Sequence, residues 1–240
     1  MTVLDLAADA HVHTAFSIGR DGVNEMVTAA ERAGLTALTI ADRVDPGSSW
    51  LSEYRRAVRR AQQRVELRVR LGVQVEVVRH DGWLGFPVDL SGLDLVSVAV
   101  SRLPLATGLA DADEIRARLD AGSLRPADVV ELLVGTVILG IERAGRYAPV
   151  QVARPLALLG AVGIAEPEPA DPVIDALAQA CAETGARIEV SEHWRVPSPQ
   201  LVDALTRKGV RLVAASDAHR AADVGRWHYL RAAAAHQSVV

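Results

Sequence analysis

The sequence predicts an α/β protein built from repeated strand–helix units, arranged as a barrel or as a doubly wound sheet. Short apolar runs of strand length alternate with longer segments of helical period along the chain, which is typical of parallel βα units. Three predicted helices are followed by Gly34, Gly185 and Gly209, where a left-handed residue can close a helix. The chain has 240 residues, half of them apolar, enough to bury one full core. We expect one domain over residues 1–240.

Seven strands and six helices follow from these patterns. Each strand candidate is a short apolar run, and each helix candidate repeats its apolar residues at a helical period. In chain order, the predicted strands are Leu6–His11, Ala37–Ile40, Val69–Val78, Leu95–Val100, Pro149–Val152, Arg187–Val190 and Val210–Ala215. The predicted helices between and after them are Val23–Ala33, Leu51–Gln63, Ala127–Ala144, Pro172–Thr184, Ser198–Lys208 and Ala221–Ala235.

Charge and composition exclude several kinds of partner. The 26 basic and 30 acidic residues give a net charge of −4, and no block of like charge is present to bind nucleic acid or an anionic membrane. No apolar run reaches the roughly 18 residues needed to span a bilayer, and Met1–Ala10 has no basic residue ahead of its apolar positions. We therefore expect a cytoplasmic protein. Cys181 is the only cysteine, so a disulfide within the chain is excluded, and the oligomeric state stays open.

Metal-binding residue types collect at the ends of the first and last predicted strands. In a barrel, reactive groups come from the C-terminal strand ends. His11 and His13 are two apart, on one face of a strand, and two imidazoles suit zinc, iron or manganese. Asp217 and His219 follow the last strand at the same spacing. A closed barrel brings these two motifs together, whereas a lone His-x-His pair could equally form hydrogen bonds in a polar rim.

These motifs resemble those of the polymerase and histidinol phosphatase (PHP) family over nearly the whole chain. Asp9–Thr14 (DAHVHT) is similar to its opening DxHxHT motif, Gly34–Arg43 to its "GL…ITDH" strand, and Ser216–His219 with Asp223-Val224-Gly225 to its closing "SDAH…VG". Weaker similarities cover Gly72–Gln74 with Asp81-Gly82, Asp94–Ser101, Ala153–Pro155 and Arg187–Ser191. The resemblance implies a distorted, TIM-like, seven-stranded (β/α) barrel. It also implies up to three zinc, manganese or iron ions and the hydrolysis of phosphate esters.

Five of the nine ligand positions implied by the resemblance carry other residues. The family's ligand after the first motif falls near Ile18 or Gly19, with Asp21 as a substitute if the loop has shifted. The other four positions hold Arg43, Gln74, Ser101 and Arg154. The retained His11, His13 and Asp217 form most of one site, a 2-His-1-carboxylate set that can hold a single divalent ion. Glu76 lies on the same strand face as Gln74. It is a further candidate metal ligand, and the alternative is that it pairs with an arginine.

Arginine at two of the substituted positions suggests an anion pocket. A guanidinium cannot bind a metal, but Arg43 and Arg154 can supply positive charge and grip a phosphate or carboxylate. We predict that they bind substrate; the alternative is that they pair with Asp42, Asp217 or Glu189 and fill an inactive site. Asp42 and His219 are the candidate proton-transfer residues.

Two functions of different classes remain open at this point. The first is a PHP-like metal-dependent hydrolase of the phosphoesterase class, with one zinc, manganese or iron ion and a small phosphorylated or otherwise anionic substrate. The second is a catalytically inactive barrel that binds an anionic ligand or a partner protein, with no metal. Survival of both end motifs favours the enzyme, and loss of the bridging glutamate at Gln74 favours the inactive barrel. A structural metal site without a ligand is a third, weaker interpretation.

Overall fold

The computed structural model describes residues 4–86 and 89–237. In chain order its strands are β1 (Ala8–Val12), β2 (Ala37–Val44), β3 (Arg68–Val77), β4 (Leu84–Gly85), β5 (Leu95–Ala99), β6 (Leu103–Leu105), β7 (Gly108–Ala110), β8 (Val150–Val152), β9 (Arg187–Ser191) and β10 (Arg211–Ala215). The helices are α1 (Val23–Arg32), α2 (Leu51–Gln62), α3 (Ala112–Asp120), α4 (Pro126–Ala144), α5 (Ala157–Ala161), α6 (Pro172–Thr184), α7 (Pro199–Arg207) and α8 (Tyr229–Gln237), with a 3₁₀ helix at Ala221–Asp223.

The main sheet is a nearly closed barrel of seven parallel strands. Its order is β1-β2-β3-β5-β8-β9-β10, with β4 antiparallel to β3, while β6 and β7 form a separate hairpin. A parallel bridge between Val12 and Ala218 joins the first strand to the chain just after the last. Two backbone hydrogen bonds hold this junction: the His13 amide donates to the Ala218 carbonyl (2.9 Å) and the Asp217 amide to the His11 carbonyl (3.0 Å). The predicted barrel is confirmed, and the doubly wound sheet is excluded.

All seven predicted strands and most predicted helices are present, with ends that differ by a few residues. Gly34, Gly185 and Gly209 have φ values of 71°, 70° and 79°, so each takes the left-handed conformation expected after a helix. At the other end of α6, the Asp171 side chain accepts from the Val173 amide (3.0 Å), which caps the helix start.

The helix predicted over Ala221–Ala235 is wrong as a single element. The chain forms the short 3₁₀ helix, becomes extended at Val224 and turns at Gly225 (φ 68°) before α8 begins. The Gly225 amide donates to Asp9 (3.2 Å), and a Cβ at Gly225 would lie 3.0 Å from the Ala33 side chain. This tertiary contact interrupts a segment whose alanines alone favour a helix.

The strands are buried on both faces, and the inner face is polar toward the C-terminal ends. Val12, Ile40, Val73, Val98 and Ile188 are fully buried. Side chains from β1, β5, β8 and β9 meet one another inside the barrel, at His11, Ser97, Gln151 and Glu189. Within the described residues, no helix is long and apolar enough to cross a membrane.

Candidate metal centre and anion pocket

Three potential metal ligands meet where the first and last strands adjoin. One ligand atom each from His11, His13 and Asp217 lies within 4.8 Å of the others, and all three residues are buried. The backbone junction between β1 and the chain after β10 brings them together, as the sequence predicts. In the part of the chain described here, this is the one group of three or more such residues.

Both ring nitrogens of His11 are engaged. Nδ1 lies 2.7 Å from Glu189 Oε1 and Nε2 lies 3.2 Å from the Ala41 carbonyl. Burial alone would lower the pKa of His11, but the Glu189 carboxylate outweighs burial and raises this pKa to about 9. His11 is therefore an imidazolium that donates to both acceptors. To bind a metal, it must release one proton and its contact with Ala41.

His13 has the opposite charge state. Burial lowers its pKa to about 4, against the opposing effect of Asp217, so the ring is neutral. Its Nε2 donates to Asp217 Oδ1 (3.1 Å), which leaves Nδ1 buried without a partner in the described structure. An unpaired lone pair in a buried site costs free energy, and it is the atom that a cation would satisfy.

Asp217 is an ionised carboxylate. Burial would raise its pKa, but the His13 hydrogen bond and the charge on His11 hold the pKa of Asp217 well below its usual range. The Trp194 indole donates to Oδ2 (2.6 Å) and covers this side of the carboxylate. Two imidazoles and one carboxylate fit a single divalent ion of the zinc, manganese or iron type, and the unpaired His13 nitrogen supports that fit.

Glu76 does not belong to this group, which corrects its assignment as a metal ligand. Its Oε1 lies 3.1 Å from Arg154 Nη2 and 3.5 Å from Arg43 Nη2, and both carboxylate oxygens accept from Ser101. The structure therefore has the alternative arrangement, in which Glu76 pairs with arginine. The partner of both arginines is Glu76 rather than the Asp42, Asp217 or Glu189 carboxylates considered from the sequence.

Four substituted positions thus form one network around Glu76. Arg154 donates to Gln74 (3.2 Å), to Glu76 and to Ser101, and its guanidinium lies 5.6 Å from the Trp194 ring centre. Arg154 has a positive φ of 37°, and its backbone amide donates to Glu189 (3.2 Å). Two guanidiniums and one carboxylate leave a net positive charge beside the candidate metal group.

Asp42 and His219, the candidate proton-transfer residues, lie in different surroundings. Asp42 is buried and accepts from the Thr14 amide (2.8 Å), the Thr14 hydroxyl (2.6 Å) and the Ser17 hydroxyl, so it anchors the loop after β1. Burial raises the pKa of Asp42 to about 6.

His219 is half-buried, and its ring lies edge-on to His13 with centroids 5.0 Å apart. Burial lowers the pKa of His219, which keeps it neutral near pH 7. A proton-transfer role for either residue stays a prediction.

Glu189 is the residue whose importance the sequence did not reveal. It is buried at the centre of the barrel and accepts from His11, Ser97 (3.0 Å), Gln151 (2.6 Å) and the Arg154 amide. From the sequence it was considered only as a possible partner of Arg43 or Arg154. A glutamate in the middle of an apolar strand is the signal that could have identified it, because burial of a carboxylate requires several partners.

A cavity of about 260 Å³ opens beside these groups. Its polar wall is formed by Arg43, Ser101, Arg154, Trp194, Asp217 and His219. The apolar lining residues include Ile18 and Leu158. A small molecule in this cavity would therefore lie beside Arg43, Arg154, Asp217 and His219.

The fold and the site define an α/β barrel with a candidate metal centre at its C-terminal strand ends. The chain belongs to the PHP domain family, whose model matches residues 9–193, and the resemblance found in the motifs is confirmed. A structure described as "putative histidinol phosphatase hisK" from Listeria monocytogenes matches with a TM-score of 0.71 at 14% identity, over 91% of this chain and 97% of that chain. It confirms the PHP-type barrel.

A second structure, described as a "putative metal-dependent phosphoesterase" from Bifidobacterium adolescentis, has 16% identity and a TM-score of 0.37 over 88% of this chain and 87% of that chain. No curated protein matches the sequence.

Proposed function

We propose that the protein is a PHP-type hydrolase that holds one divalent ion through His11, His13 and Asp217 and acts on a small phosphorylated or otherwise anionic substrate. The observation that carries this proposal is the meeting of three buried ligand atoms within 4.8 Å of one another. They lie beside a cavity whose wall contains Arg43 and Arg154. Family membership supports the same class of chemistry.

Each group of site residues would have a separate role in such a reaction. A divalent ion would polarise a phosphoryl oxygen and lower the pKa of water. Arg43 and Arg154 would orient the anion, since a guanidinium binds phosphate oxygens in a two-pronged manner. His219 is neutral near pH 7 and lines the same cavity, so it can accept or deliver a proton there. Asp42 is the second candidate for this proton transfer.

The network around Glu76 supports a single ion rather than a cluster. Four of the further ligand positions implied by the family resemblance hold Arg43, Gln74, Ser101 and Arg154, which bond to Glu76 or to one another. Guanidiniums there supply positive charge without ligand atoms. The proposed substrate therefore meets one ion and two arginines.

The direct test is hydrolysis of a panel of small phosphate monoesters by protein loaded with zinc, manganese or iron(II). We expect turnover by the unmodified protein and its loss in His13→Ala. His228→Ala is the matched control, because the His228 side chain is exposed and is not one of the three candidate ligands. No turnover with any of the three ions, or equal turnover in His13→Ala, would contradict the hydrolase.

A second candidate function is favoured by the completeness of the polar network. Arg154 already has three side-chain partners, and both nitrogens of His11 are satisfied without an ion. An inactive barrel that binds an anionic ligand or a partner protein fits this arrangement. It predicts that metal-free protein binds inorganic phosphate and that Arg43→Gln with Arg154→Gln abolishes this binding, with no turnover in any sample.

A further inference from the structure

The opposite end of the barrel carries a second concentration of positive charge. Arg68 and Arg70 begin β3, Arg187 begins β9 and Arg211 begins β10. Together with Arg59 they line a cavity of about 540 Å³ at the N-terminal ends of the strands. The one acidic residue among the described lining residues is Asp94.

The strand geometry explains why these arginines converge. Arg68 and Arg70 share a face of β3 with Gln74, which points into the barrel, and Arg187 shares a face of β9 with Glu189. Arg211 is paired in register with Arg187 on the neighbouring strand. All four guanidiniums are therefore directed toward the same opening of the barrel.

The positive charge at this end is only partly balanced within the chain, by the nearby Asp94 and Glu189 carboxylates. In the described part of the chain, the guanidiniums of Arg68, Arg70, Arg187 and Arg211 make no hydrogen bond and no ion pair. Asp94 is committed to Arg59, with two contacts of 3.0 Å, and to the Leu71 amide. Burial and then the repulsion of Arg70 and Arg211 lower the pKa of Arg187 to about 10.

We propose that this cavity is a binding site for a small multivalent anion of the phosphate class, such as pyrophosphate or the polyphosphate part of a nucleotide. Four clustered guanidiniums repel one another, and a bound polyanion would remove that cost through charge-assisted, two-pronged hydrogen bonds. The concave shape and limited volume suit a small ligand. The overall net charge of −4 shows that the arginines are a local feature.

This site is separate from the candidate metal centre. Arg70 and Gln74 are four residues apart on β3, or roughly 13 Å at about 3.3 Å per strand residue. The buried Glu189 and Gln151 side chains lie between the two ends. A ligand at the arginine end can therefore bind whether or not the proposed hydrolase activity exists.

The test is calorimetric titration of inorganic pyrophosphate into the whole chain, freed of metal by dialysis against chelator and then against buffer. We expect saturable binding at one site, weakened by at least about tenfold in Arg70→Gln with Arg187→Gln. Arg68→Gln with Arg211→Gln repeats the test at exposed positions, where the fold is not at risk. Arg116→Gln, in an exposed pair with Asp113, is the matched control and keeps full affinity.

Two further arms make the outcome decisive. His13→Ala must keep the affinity, because the site lies at the other end of the barrel. Absence of saturable pyrophosphate binding to the unmodified chain, or equal binding by the double arginine variants, overturns the proposal. Binding of a single-stranded oligonucleotide without binding of pyrophosphate would also overturn it, in favour of a nucleic-acid surface.

Discussion

The two ends of the barrel differ in how their charges are balanced. At the C-terminal strand ends, Glu189 faces His11, Asp217 faces His13, and Glu76 faces Arg154. At the N-terminal ends, the four arginines form no ion pair among the described residues, and Asp94, the one carboxylate in the cavity wall, is paired with Arg59. The first end is largely satisfied within the chain, except for His13 Nδ1. The second requires a partner from outside. Both ends contain several charged side chains, and they differ in whether those side chains form ion pairs within the chain.

The largest effect is expected at the centre of the satisfied end. Replacing Glu189 with alanine leaves a buried His11 imidazolium and the Ser97 and Gln151 donors without their acceptor. Removal of one partner from a buried pair costs about 3–5 kcal/mol, so we expect the free energy of unfolding in urea to fall by that amount. The control Glu114→Gln breaks an exposed helix pair with Arg118 and should cost less than about 0.5 kcal/mol. Similar values for the two variants would contradict the role of Glu189.

The next effect tests whether Arg154 and Glu76 act as a unit. Arg154→Met leaves Glu76 with Arg43 at 3.5 Å and with Ser101, and we expect a loss of about 2 kcal/mol. In a double-mutant cycle with Glu76→Gln, the coupling energy should exceed about 1 kcal/mol. Arg43→Met is the comparison, because its side chain is 39% exposed, and it should cost less. A coupling energy near zero would mean that Arg154 and Glu76 do not stabilise each other.

A pH-dependent effect is expected at Asp42. Burial raises its pKa in the folded state to about 6, above the ordinary value of 3.8. The folded state therefore binds this proton more tightly, so the stabilisation it provides is present below about pH 4 and is lost as the pH rises to about 6. We expect the stability of the wild type relative to Asp42→Asn to fall by roughly 2–4 kcal/mol between pH 4 and pH 7. A pH-independent difference in urea unfolding would contradict this interpretation.

The smallest effect is expected at the N-terminal ends of the strands, where the four arginines lie. Arg211→Gln removes one of four mutually repelling charges at an exposed position, so in low-salt buffer without phosphate the thermal midpoint should rise by about 1–2 °C. The gain should vanish at high salt, where the repulsion is screened, and it should reverse with saturating pyrophosphate. A lower midpoint in low salt would mean that Arg211 has a stabilising partner.

Much of the fold and part of the site were predictable because they depend on local pattern. Strand-length apolar runs and the glycines at 34, 185 and 209 located the strand–helix units, and the family resemblance of the motifs implied the barrel. The two end motifs located His11, His13 and Asp217. Helix α3 was missed because Ile115 is its one buried residue, which gives a weak helical pattern. Helix α5 was too short for periodicity to reveal.

The remaining features depend on contacts between distant strands. The partner of Glu76 is Arg154, 78 positions away, and Glu189 meets His11 across 178 positions. The arginines at the start of β3, β9 and β10 are ordinary surface residues in a linear sequence. Their convergence appears only when the register places Arg187 beside Arg211 and the barrel brings β3 opposite.

The metal content of protein purified without chelator tests the central claim most directly. The account predicts about one equivalent of zinc, manganese or iron per chain, and its loss in the variant that combines His11→Ala with His13→Ala. His228→Ala should retain the ion. A folded protein that contains no metal, even after incubation with each ion, would contradict the single-ion centre and with it the proposed hydrolase.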